Sequence, residues 1–550
     1  VFWLRDGFDI ICGNPPWIKL EFDENSIISE KYPEVVIRKM SAPEVRSIRD
    51  ELFTSNPLLS TLYKEEEASN SCSSAFLNAY QNYPLLDGQQ TNLYKCVLAN
   101  CMEMVSEKNG YIGILCPEGI YDDPKAQPLR RELYKRLLYH FQYKNELLLF
   151  AEIGHPNYYG EQIVGPKKET ADFLCIYNLY HPSTIDSCFT HDGHGLCEGV
   201  KSSDGRWNTK GHKDRIVHIG EDELKLLSDT FEEGTTSDCA KLVKIHSNEI
   251  LQILRIISKF QTHVRDKQNI ISSAFHETNA VDDGIIAPQT YYPLIEDYGL
   301  IYKGPQFSIG NPFYKTPRSV CVEKSDYDII DLMEIDENIP TRSNFKPAKP
   351  IDEYRKIING FIKGQDSEGK PLYENWIDYY KVAFRSQLNI DQERTLICAV
   401  LPRRTAHIHA VISSAFRRGD DCVDMAALCS SIVMDFYVKT IGASGLFPSR
   451  MMSFPLGTPN QYQSALFSRT LMLNCITHHY ADLWSEVWRD DFQEQKWSID
   501  DPRLKPFNTI QRNWTWNTPL RNYFERRQAL VEIDVIAAMA LGLSLQDLTT

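Results

Sequence analysis

The chain lacks any uninterrupted apolar run of the roughly 20 residues that a bilayer crossing takes. Its most apolar late stretch, 529–548, is broken by Glu532, Asp534 and Asp547, and reads as a buried or amphipathic helix. The first residues carry Arg5, Asp6 and Asp9 and no signal-type apolar segment, so no membrane partner is expected and a cytoplasmic location is. The 14 cysteines lack dense regular spacing, which points to reduced thiols and away from a disulfide framework. Basic charge is also short: 59 Lys and Arg stand against 74 Asp and Glu, a formal charge of -15. That balance excludes a generic nucleic-acid coat, whose phosphate contacts need clustered cations, but not an enzyme with a local basic cleft. No internal repeat, low-complexity tract or nuclease-like Asp with a downstream Glu-x-Lys in a strand is found. Nor is there a convincing Gly-x-Gly turn after an apolar strand. The segments 442–445 and 304–310 come nearest, without the strand, helix and downstream acidic residue such a turn needs.

What is present is a globular composition, 42% apolar and 24% charged over 550 residues, long enough for two or three domains. The most informative stretch is Phe8-Asp9-Ile10-Ile11-Cys12-Gly13-Asn14-Pro15-Pro16-Trp17. Its apolar half predicts a buried strand, and the two prolines force the chain to turn, because they cannot continue a ladder. The turn offers the Asn14 amide oxygen and the Pro15 carbonyl as acceptors, and the Trp17 ring as a stacking surface. Two acceptors and one plate suit a planar heterocycle with an exocyclic amine. Downstream, 91–105 has helical apolar spacing, Asn109-Gly110 stops it, and 111–117 reads as a strand ending in Pro117 and Glu118. This is a βαβ step. A helix over 129–141 and strands over 146–153 and 170–180 are expected next.

Asn-Pro-Pro-Trp after an apolar strand resembles the catalytic motif of DNA amino-methyltransferases acting on the 6-amino group of adenine, and the helix and Pro-ended strand downstream of it are similar to the elements after the motif in that class. The resemblance implies an α/β fold: the C-terminal part of a Rossmann-like class I methyltransferase sheet, then a mixed α+β target-recognition region and a helical C-terminus. It implies catalytic roles for Asn14, Pro15, Pro16 and Trp17, and a second aromatic against the extruded base, for which Tyr158 and Tyr159 are candidates, with Phe150 behind them. It also implies S-adenosylmethionine as cofactor, bound mainly by residues expected upstream of Val1, so the chain is read as part of a longer protein. Double-stranded DNA is the expected partner, with defence-system subunits as further ones. The region after 190 resembles that of large type IIG restriction-modification methylases and of BREX-type and DISARM-type phage-defence methyltransferases.

The expected organisation is a partial catalytic subdomain over 1–185, a loop-rich and helical connector over 186–270, a target-recognition region over 271–460 and a helical region over 461–550. Within it, 18–81 is expected to be a polar insertion or helical lid, 215–265 helical, 373–384 an aromatic helix, 395–402 a strand and 425–439 one apolar helix. Candidate DNA contacts are Arg130, Arg131, Arg403, Arg404, His407 and Arg450. Cys188, His191, His194 and Cys197 are spaced like soft metal ligands but are read as a solvent loop, so no metal is expected. The competing reading is a non-catalytic DNA-recognition or complex-assembly portion of such a system.

Overall fold

The computed structural model describes residues 6–90, 92–202, 204–232, 235–323, 325–389, 392–441 and 445–549. Segment 442–445 therefore lies mostly outside the described residues. The chain divides into two compact units, 1–250 and 251–550.

Unit 1 is built on a six-stranded mixed sheet in the order β1-β2-β4-β3-β5-β6. The strands are β1 (Ile10–Gly13), β2 (Tyr111–Pro117), β3 (Leu137–Lys144), β4 (Tyr158–Val164), β5 (Phe173–Leu179) and β6 (Val217–Ile219). β1 and β2 run parallel, with Gly13 opposite Ile114, and so do β3 and β5. β4 runs against both its neighbours, and β6 against β5. Helix α5 (Leu93–Met104) makes the crossover from β1 to β2. Gly110 is needed where the chain enters β2, because a Cβ there would lie 2.7 Å from Ser106 N.

Between β1 and α5 the described residues form four α-helices: α1 (Glu24–Ser29), α2 (Glu34–Ile37), α3 (Ala42–Ser55) and α4 (Pro57–Leu77). Ser41 and Glu44 form a capping box at α3, and Asn56 caps α4 through Leu59 N. These helices enclose a core of Ile28, Val35, Val45 and Tyr63. The insertion is thus a helical element with its own core.

Several local expectations are revised. β1 is not buried: it is the edge of the described sheet, and Ile10 is 69% exposed. The helix expected over 129–141 is two elements, α7 (Gln127–Tyr134) after the short α6 (Gly119–Asp122), and then β3, whose Tyr139, Phe141 and Tyr143 favour a pleated surface. Residues 146–153 are not a strand. Asn145 organises them as a loop, its amide donating to Phe150 O and Ile153 O and accepting from Phe150 N. Region 215–265 is helical only over Glu221–Phe231 and Asn248–Ile257, among its α-helices. Segment 186–250 folds back on the sheet through β6, through Arg130, whose guanidinium donates to Cys239 O, and through Tyr134 Oη, which donates to Ala240 O.

Unit 2 holds a four-stranded antiparallel sheet of Cys398–Leu401, Lys381–Arg385, Val411–Phe416 and Asn269–Ser272, with short two-stranded ladders beside it. The expected helix over 373–384 is instead strand Pro371–Asn375, a 3-10 turn and strand Lys381–Arg385. The expected helix over 425–439 is broken into Gly419–Cys429 and Ile432–Ile441. Ser430 and Ser431 cause the break, their hydroxyls donating back to Ala426 O and Leu428 O. No helix among the described residues is long and apolar enough to cross a membrane.

Candidate functional site

The carboxyl ends of β1, β2, β3 and β5 all lie along one edge of the unit 1 sheet, where open α/β folds bind ligands. Pro117 stands opposite Tyr159, and Tyr159 opposite Tyr143, so this edge carries a row of rings. The turn after β1 enters the row from its open end. Asn14 is exposed and Pro15 buried. Among the described residues, neither the Asn14 amide nor the Pro15 carbonyl takes part in a hydrogen bond. Both are therefore free to accept from a ligand.

Trp17 is held differently. Its indole N–H donates to Leu115 O at 3.3 Å, and its half-buried ring packs 5.5 Å from Phe150 and 5.8 Å from Tyr159. Tyr159 in turn stacks on Tyr143 at 5.2 Å, with the planes 6° apart. The tryptophan is thus a fixed plate backed by aromatics. Of the two expected stacking tyrosines, Tyr159 is 2% exposed, and burial pushes its hydroxyl up to about 12, so it supports Trp17 from below and has no free face. Tyr158 is half-buried, with Lys244 Nζ 3.4 Å from its ring centre. The aromatic partners that do meet Trp17 are Phe150 and Tyr159.

A polar network unforeseen in the sequence sits at the end of β2. The Glu118 carboxylate accepts from Gln142 Nε2 at 2.8 Å and pairs with His140 Nε2 at 2.9 Å. Burial of His140 works against its charge, but the Glu118 carboxylate, with the Cys175 sulfur beside it, outweighs that and holds the imidazole proton, up to about 10. Gly160 on β4 makes room for this pair, since a Cβ there would collide with Glu118 Oε1. The available signal was the period-two spacing of His140 and Gln142, which places both on one face of β3.

Past the ends of β3 and β5 lies a second unforeseen group. Tyr180 stacks on Trp207 at 4.8 Å, and Lys144 and Lys201 stand 5.1 and 4.7 Å from the Trp207 ring. With Lys244 over Tyr158, this is a half-buried patch of rings and cations.

The candidate DNA contacts fare unevenly. Arg130 is fully buried and donates to Cys239 O, Ile120 O and Asp123 O, so it ties the fold together and cannot reach a phosphate. His407 is fully buried, bonded to Ser413 Oγ, and burial pulls it down to about 3, which likewise removes it from any surface role. Arg131 pairs with Asp238 at 2.6 Å, and Arg403 with Asp482 at 3.2 Å. Arg404 is exposed, in a left-handed turn at φ 65°, and Arg450 is half-buried. Of the Cys188, His191, His194 and Cys197 set, Cys188 is buried within helix Ser183–Thr190, and burial pushes the Cys197 thiol up to about 11.

No protein-family model matches the chain, and no curated protein does. Among solved structures, it is similar to the type IIL restriction-modification enzyme MmeI in complex with DNA, at 9% identity and TM-score 0.35, over 97% of this chain and 54% of that one. It is similar to the type IIG restriction endonuclease BpuSI at 9% identity and TM-score 0.24, over 86% and 52%. The DrdV-DNA complex gives 9% identity and TM-score 0.29, over 85% and 44%. The chain spans about half the length of these structures.

Proposed function

We propose that unit 1 is the target-base half of a DNA adenine amino-methyltransferase of a restriction-modification or phage-defence system, and that unit 2 serves target recognition. The observation that carries this reading is an exposed, unbonded Asn14 amide beside the unbonded Pro15 carbonyl and a locked Trp17 plate, all at the carboxyl edge of parallel strands.

Adenine's amine is a weak nucleophile because its lone pair is delocalised into the ring. Asn14 Oδ1 and Pro15 O would accept its two hydrogens and favour a pyramidal nitrogen. That is catalysis by positioning. The target amine is out of reach inside a duplex, so the base must be extruded. Trp17, already fixed by its bond to Leu115 O and by two neighbouring rings, would receive the base with little further loss of freedom. Lys201, Lys244 and Trp207 would meet the backbone or an unpaired base beside it.

S-adenosylmethionine would supply the methyl group. The cavity at β1, lined by Ile11, Asn14, Val97 and Ile112 among others, has a volume of about 180 Å³. Ligand sites usually span about 300–1,000 Å³. The competing reading is a non-catalytic DNA-recognition or assembly portion of such a system.

Asn14→Ala in the intact protein distinguishes the two. Transfer of labelled methyl groups to DNA is expected to fall about 10²–10³-fold, as when one preorganised polar contact is removed from a reacting centre, with DNA affinity nearly unchanged. Undiminished transfer would remove the catalytic assignment.

A further inference from the structure

Unit 2 brings three donor atoms together on a pair of turns of its own. Glu296 Oε1 lies 3.5 Å from His478 Nε2 and 3.2 Å from His479 Nδ1, and the three ligand atoms all fall within 4.8 Å of one another. None of these contacts has hydrogen-bond geometry, and no other hydrogen bond engages the three side chains among the described residues, apart from the Asn338 backbone beside the His479 ring. His479 Nε2 is buried without a hydrogen-bond partner of ordinary geometry. If the ring proton sits on Nε2, the Nδ1 lone pair faces a carboxylate oxygen. If it sits on Nδ1, a buried lone pair is left orphaned. A cation between the donors resolves the first arrangement, which is the tautomer that metal-bound imidazoles adopt.

The supports are rigid. Tyr380 Oη donates to His479 O and Tyr480 Oη to Val400 O, each at 2.8 Å, so the turn His478–Tyr480 is pinned from below. Glu296 stands on a turn closed by Tyr298 N to Ile295 O at 3.0 Å, with Ile295 buried. Zinc–ligand bonds of about 2.0–2.2 Å in a tetrahedron give donor separations of about 3.3–3.6 Å, close to the two carboxylate–imidazole spacings. Arg404, whose charge acts against a charged His479, stands 5.9 Å from the Tyr298 ring.

We propose that Glu296, His478 and His479 bind one divalent transition-metal ion of the zinc class, with water at the fourth position. The ion clips the 295–298 turn to the His478–Tyr480 turn. Such a clip binds the folded unit only, and so stabilises it by mass action.

The test is zinc titration of the metal-stripped intact protein against a chromophoric chelator. The wild type is expected to take up one equivalent more than Glu296→Gln and His478→Ala, each checked for an unchanged circular-dichroism spectrum, and its melting temperature to rise with zinc where theirs does not. Equal uptake by the wild type and both variants overturns the site. If the variants do not fold, cobalt(II) bound to the wild type decides it: a spectrum without a thiolate charge-transfer band is expected, and a thiolate band, placing the ion on cysteines, contradicts it.

Discussion

His140 and Glu118 form a fully buried imidazole beside a nearly buried carboxylate, and their pairing makes unit 1 sensitive to pH. The folded imidazole holds its proton up to about 10, whereas an unfolded histidine loses it near pH 6.5. The contribution is therefore complete below about pH 6.5 and is lost as pH rises toward about 10. His140→Gln should flatten that part of the stability profile. His140→Ala, which leaves Glu118 without its partner, should cost about 3–5 kcal/mol by urea unfolding at pH 6. Trp17→Ala should weaken binding to DNA carrying an unpaired adenine by about 1–3 kcal/mol, measured by fluorescence anisotropy. An equal loss on matched duplex would make the ring a packing element only. The order Asn14-Pro15-Pro16-Trp17 could be read directly, because a chain with two prolines must turn there. Burial could not: Arg130, Tyr159 and His407 are the residue types a surface site uses, and what removes them is tertiary packing that their neighbours in sequence do not encode.

The elements divide along the same line. Helix α5 and strand β2 follow their apolar spacing, as does β5. In two places where the expectation erred, a polar side chain was competing for the backbone. Asn145 draws 146–153 into a loop, and Ser430 and Ser431 split one apolar run into two helices. The Asn145 amide makes three bonds to that loop, each worth about 0.5–1.5 kcal/mol. Asn145→Ala should therefore loosen the segment carrying Phe150, seen as faster amide exchange over 146–157, and tilt the plate beneath Trp17. Unchanged exchange there would show that the loop is held by its rings alone. The lysines over Trp207 and Tyr158 belong to this scale too. Removing Lys201 and Lys244 together should lower the slope of log affinity against log salt by about 1.4–1.8, if both meet phosphates.

Over the whole chain, the boundary at 250 reflects where chain is packed more than how it is composed. Segment 186–250 is polar and Gly-rich in its first part, which suggests a connector, yet β6 completes the sheet there and Arg215 donates to Tyr177 O at 3.0 Å. A fragment of residues 1–250 should melt cooperatively, and one ending at 185 should not, since it exposes the β5 edge and takes Cys239 O from Arg130 and Ala240 O from Tyr134. The central claim, that the edge of this sheet grips the amine of an extruded adenine, has its most direct test in the product. DNA treated with the intact protein and S-adenosylmethionine is digested to nucleosides and examined by mass spectrometry. The wild type is expected to yield 6-methyladenine and Asn14→Ala about 10²–10³-fold less in the same time; methylcytosine, or 6-methyladenine undiminished in the variant, would contradict the claim.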